Sequence, residues 1–274
     1  MRAYLRKLTF VLFLLTVVEL PAQQSPVFQF YRDVLAIPVG GHVPTTDQLF
    51  SILTDDTARS LPEAEIHATL PLVLQCVKSP NAEIRQDGLY FLIALTLRND
   101  GARLLEPYID NLKQILDEYK GDVSPRHTIL YVLGSLQPEP PAKAIAYLEA
   151  NLDNSRNSSE ETVTIAASLI EASPNDHAIV HRVLSVVSSR SDDNLTHSVI
   201  RQLGLSRTRD PEAIGFISTS LDSNSPGIRE SAVDAAARLN NDQKALLSSQ
   251  LARIASDPKE SPKVRNQAAQ ALKQ

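Results

Sequence analysis

The chain has 274 residues, 43% of them apolar and 22% charged. That composition excludes wholesale disorder and supplies core for one or two domains. Nine glycines, no tryptophan, and 65 leucines and alanines together argue against turn-rich sandwiches and propellers and for helices. The formal net charge is −5, and neither half carries the Lys/Arg footprint that nucleic acid requires.

Arg2, Arg6 and Lys7 precede an apolar run from Leu8 to Val18, and Leu20-Pro21-Ala22 offers a small residue for cleavage. This order predicts a secretory signal peptide over residues 1–22, because the run is shorter than the roughly 20 residues a membrane-spanning helix needs. The expectation is an exported protein, periplasmic or extracellular, with no stable membrane insertion after processing. The processed chain carries 24 basic against 31 acidic side chains. Cys76 is the single cysteine, so burial alone must hold the fold. Its place in an apolar helical run predicts a buried, inert thiol.

Residues 23–60 fit no repeat. Gln23 to Gln29 read as a flexible start and Pro38 to Pro44 as a loop. Thr46 or Asp47 is placed to cap a short helix through Leu49, Phe50 and Leu53. The segment is expected to be an N-terminal extension that caps the first apolar face of the array that follows.

From residue 61 to 274 a pattern recurs. Asn81 to Arg85, Ser225 to Arg229 and Ser261 to Arg265 each run from a polar turn into a β-branched residue followed by Arg. Apolar or small residues then follow at offsets of 4, 7, 8 and 11, one stripe of an α-helix. The stripe is Gly88, Phe91, Leu92 and Leu95 in the first copy. It is Ala232, Ala235, Ala236 and Leu239 in the fifth, and Ala268, Ala271 and Leu272 in the sixth. Weaker copies start at Pro125, Ser159 and Leu195. The anchors 84, 125, 159, 195, 228 and 264 lie 33 to 41 residues apart. Each copy is preceded by a second amphipathic stretch, for example Ile66, Leu70, Val73, Leu74 and Val77. The fold class expected is all-α, an α-α superhelix of about six helix pairs.

The segments Leu221 to Leu239 and Asp257 to Leu272 resemble HEAT repeats, with Asp222 in a turn and Ile228-Arg229 or Val264-Arg265 at a helix start. The resemblance covers about residues 61 to 274. It implies a right-handed solenoid with second helices on its concave face, and a polar ladder made by a turn Asp and an early Arg. Arg85, Arg126, Arg229 and Arg265 fill the Arg position. Glu160 and Thr196 replace it in the third and fourth copies, so the ladder is expected to break there. Spacings near 34 also suit tetratricopeptide repeats, whose aromatic and Gly positions are missing here.

Signatures of chemistry are few. There is no Gly-rich phosphate loop, no His-Glu-x-x-His and no Gly-x-Ser-x-Gly. HEAT-like hydroxylases carry His-Glu dipeptides, and none of the six His here precedes a Glu. No catalytic, cofactor-binding or metal-binding residue is assigned. His177 and His181 lie one helical turn apart and His197 falls on the partner helix, a set to weigh as zinc or copper ligands. Ser256-Asp257-Pro258-Lys259 matches Ser-x-x-Lys, but Pro258 places it in a turn. Asn157-Ser158-Ser159 and Asn194-Leu195-Thr196 are glycosylation sequons.

The remaining surface is the groove. Offset 6 from each anchor, opposite the core stripe, gives Tyr90, Tyr131, Ile165, Arg201, Asp234 and Gln270. Offset 2 adds Gln86, His127, Glu161, His197, Glu230 and Asn266. Amphipathic anchors beside charged groups suit an interface. The function expected is non-catalytic binding or scaffolding of a protein or peptide partner, with no nucleic acid and no cofactor. An envelope enzyme, a metal-dependent hydrolase with its site in the groove, is the alternative. Convergence of the three histidines beside an acid would favour it.

Overall fold

The computed structural model describes residues 25–38, 41, 60–118, 123–154 and 156–273. The expected signal sequence and the expected helix through Leu49, Phe50 and Leu53 lie outside them. Among the described residues every regular element is helical. The chain divides into two compact units, Met1–Arg98 and Asn99–Gln274.

The first unit contains α1 (Pro26–Leu35), α2 (Glu63–Val77) and α3 (Ala82–Thr96). Residues 26–29, read from the sequence as part of a flexible start, belong instead to α1. Ser25 caps it, accepting from the Phe28 amide at 3.0 Å, and Pro26 sits where no intrahelical donor is needed. Val27, Tyr31 and Val34, spaced at i, i+4 and i+7, are buried. Helix α1 packs on α2. The Tyr31 ring meets Phe91 edge-on at 5.5 Å, and its hydroxyl donates to the Asp87 carbonyl at 2.9 Å. Cys76 is fully buried, and burial pushes its thiol up to about 12. The thiolate needed for reactivity is therefore suppressed, as expected.

The second unit opens with α4 (Gly101–Leu105) and a 3₁₀ turn (Glu106–Tyr108), where Pro107 interrupts the helical pattern before α5 (Ile109–Glu118). Then come α6 (Val123–Gly134), α7 (Ala142–Asn151), α8 (Ser159–Ala172), α9 (His177–Arg190) and α10 (Asp193–Leu205). Helices α11 (Pro211–Leu221), α12 (Pro226–Arg238), α13 (Asn241–Ser256) and α14 (Pro262–Ala271) complete it. Side-chain caps and prolines mark most of these starts. Asp176, Asp192, Asp210 and Ser261 cap with their side chains, and Pro occupies the first turn of α11, α12 and α14. These are five helix pairs in two layers. The second helices α6, α8, α10, α12 and α14 each pack on the next. The first helices pack as α5 with α7, α9 with α11, and α11 with α13.

Close approach of the second helices depends on small residues. A Cβ added to Gly134 would lie 2.2 Å from Ser168 Cβ, and one added to Gly204 would lie 2.5 Å from Ala235 Cα. Those distances leave no room for a side chain at either glycine. The expected stripes are buried in the second copy (Ile129, Val132, Leu133, Leu136) and in the fourth (Val199, Leu203). In the third copy two of the expected residues, Ala166 and Ile170, are buried, but Thr162, Ile165 and Leu169 are buried in place of Val163 and Ala167. The buried stripe starts one residue earlier than the Ser159 anchor implies, and one residue is a rotation of about 100° around a helix.

Candidate binding surface

The joints between second helices use up part of their polar surface. Arg229 Nε donates to Glu260 Oε2 at 2.7 Å and its Nη1 to the Ser223 carbonyl at 2.8 Å. This guanidinium holds the Glu260 carboxyl below its ordinary range. Arg126 likewise pairs with Glu161 of the next copy. Asp222 does not join this ladder. It pairs outward with Arg253 and accepts from Gln250 at 2.7 Å. Where Glu160 replaces Arg, the joint between the third and fourth copies is bridged by other groups, whereas at Thr196 the joint to the fifth copy carries the His197–Ser231 hydrogen bond and no Arg. Arg190, at the end of α9, donates to Thr162 Oγ1 at 2.8 Å and reaches Asp153 at 3.4 Å, and Ser159 donates to Asp192. An Arg from the first helix replaces the missing Arg of the second.

What these joints leave free forms a cavity of about 430 Å³ on the second-helix face of α10, α12 and α14. His197 and Arg201 come from α10, Gly227, Glu230, Ser231 and Asp234 from α12, and Lys263 and Gln267 from α14. Glu230 accepts from Lys263, and Asp234 pairs with Arg238 at 3.1 Å. Ser231 Oγ donates to the Gly227 carbonyl at 2.8 Å and also meets His197 Nδ1.

Two expected groove residues, Arg201 and Asp234, therefore line one cavity, together with His197 and Glu230 from the offset-2 column. Tyr131 is 41% exposed on α6 but lies outside the cavity. Gln270 and Asn266 are exposed, yet Lys263 and Gln267 form the α14 wall in their place. Tyr90 belongs to the first unit, half-buried, its hydroxyl accepting from Gln86 at 2.6 Å. Ile165 is corrected: it is 1% exposed, a core residue and not a groove anchor. The one-residue slip in the third copy placed it on the wrong face, and Thr164 is the half-exposed neighbour. Sequence reasoning missed Lys263 and Gln267, which sit one residue before and three after Val264. The offsets expected for that copy were 2 and 6.

The three histidines are not brought together. His177 Nδ1 meets Asp210 at 2.9 Å and His181 Nδ1 meets Glu212 at 3.0 Å, while His197 turns to Ser231 on α12. The Asp210 hydrogen bond and charge raise the His177 pKa. Among the described residues no group of three His, Cys, Asp or Glu side chains is placed to hold a metal ion. Ser256 Oγ lies 3.0 Å from both the Ala252 and Arg253 carbonyls of its own helix and donates back into that helix. A second, open groove of about 750 Å³ lies between the first helices α9 and α11, lined by Leu184, Ser188 and Phe216 among others.

Paired helices, close-packed second helices and an Arg–acid ladder between copies define an α-solenoid of HEAT-like helix pairs. No family model matches the sequence, and no curated protein matches it. Among solved structures the chain is similar to an archaeal HEAT-like repeats protein from Thermococcus onnurineus NA1, at 17% identity and a TM-score of 0.48 over 85% of this chain and 97% of that one. It is also similar to a designed armadillo repeat protein in complex with the peptide (KR)4, at 17% identity and a TM-score of 0.43 over 74% of this chain and 98% of that one.

Proposed function

We propose that the chain is an exported, non-catalytic repeat protein that binds a protein or peptide partner on its second-helix face. The observation that carries this reading is the cavity shared by α10, α12 and α14. Its wall residues His197 and Arg201 serve no inter-repeat ion pair among the described residues, whereas Arg126 and Arg229 do. Side chains that are solvated, charged and converging from three successive repeats form a rim suited to recognition. The acidic balance of the chain, −5, supports a partner other than nucleic acid. Export rests on the order of basic, apolar and small residues in 1–22.

Selection of displayed random peptides against the full chain tests the binding face. Enriched peptides should lose about tenfold or more in affinity for the double variant Arg201→Glu, Asp234→Arg. Equal affinity for both proteins would place the binding surface elsewhere. Intact-mass measurement of the exported protein tests processing. It should begin near Gln23, and retention of Met1 to Ala22 would contradict export by a cleaved signal.

A further inference from the structure

The charge balance of the cavity says what it can hold, given that this face is the binding surface. Its two acids are already matched, Glu230 by Lys263 and Asp234 by Arg238. Arg201 is exposed and has no ion-pair partner among the described residues. On α14, Gln267 lines the cavity with its Oε1 shielded from solvent. His197 stands on the same wall as Arg201, with its Nδ1 on Ser231. A planar guanidinium fork fits a carboxylate with two parallel hydrogen bonds. The volume of about 430 Å³ falls within the roughly 300–1,000 Å³ of small-ligand sites, room for a short peptide segment. We infer that the cavity binds a peptide segment through a carboxylate on Arg201. The carboxylate is either an acidic side chain or the end of the partner chain.

Three N-acetylated pentapeptides separate these sources on the full chain. One has a central Glu and an amidated end. The second has Gln in its place, and the third is the Gln peptide with a free terminal carboxylate. Ring resonances of His197 report occupancy of this cavity. Either the Glu peptide or the free-acid peptide should shift them and bind about tenfold more tightly than the amidated Gln peptide. Arg201→Gln, at an exposed position, should erase that preference while the circular dichroism spectrum stays unchanged. The peptide that wins identifies the source of the carboxylate. Equal binding of all three, or a preference that survives in Arg201→Gln, overturns the inference and leaves peptide binding on this face standing. If no peptide moves the His197 resonances at millimolar concentration, both this inference and the binding reading fall.

Discussion

The two layers of the second unit are held by different forces. Second helices come closest through absent side chains, with Gly134 against Ser168 and Gly204 against Ala235, and add the Arg126–Glu161 and Arg229–Glu260 pairs at their starts. First helices meet through present ones: Lys143 with Asp110 at 3.0 Å, Tyr147 with Asp117 at 2.9 Å, His177 with Asp210 and His181 with Glu212. Close packing is unforgiving of added volume, whereas exposed polar pairs contribute little and respond to pH and salt. The second-helix layer should therefore set the stability of the stack. The first-helix layer should tune its response to conditions.

The largest effect that would test this contrast is overpacking. Gly204→Val must push α10 away from the Ala235 backbone, at a cost of about 1–3 kcal/mol or roughly 2–12 °C in Tm. Thermal unfolding that matches wild type would mean the layers are not so close. The next effect is at the middle joint. Arg190→Ala removes the contacts to Thr162 and Asp153 from a side chain only 26% exposed, costing about 1 kcal/mol. Amides of α8 and α10 should then exchange faster, with those of α14 unchanged. Identical exchange in both would show that packing alone bridges the joint.

A smaller effect belongs to His177, whose ring is 70% exposed. Its pKa is raised above 6.5 by the Asp210 hydrogen bond first, then by the charges of Asp210, Glu212 and Asp176. A raised histidine pKa contributes stability that is complete below the unfolded value and is lost as pH climbs through the folded one. After correction for intrinsic exchange rates, α9 and α11 amides should be better protected at pH 5.5 than at pH 8.5. His177→Ala should remove the difference, and a difference that persists would assign it to another group. The smallest effect is Lys143→Ala, which breaks a pair exposed on both sides. Its Tm should equal that of wild type, and a clear loss would promote the outer pairs to a structural role.

The same contrast explains what the sequence made legible. Helical stripes such as Ile129, Val132, Leu133 and Leu136 are a local property, because periodicity repeats within one turn. Polar partners are not local. Arg190 reaches residues 28 and 37 positions back, and no pattern within a helix announces that. Helix α1 was legible in principle: Ser25, Pro26 and the spacing of Val27, Tyr31 and Val34 are a capped amphipathic start. Ile165 shows the sharper limit. A stripe anchored one residue late still looks periodic, yet every assignment of face turns by about 100°. Of the six groove residues, Arg201 and Asp234 line the cavity, while Tyr131 and Gln270 are exposed outside it.

The central claim is that a partner occupies the second-helix face. Photo-cross-linking residues placed singly at positions 201 and 234, and at position 188 in the first-helix groove, test it on the full chain in its own source. The account predicts a shared cross-linked partner at 201 and 234 and none at 188. Cross-links from 188 alone would contradict it.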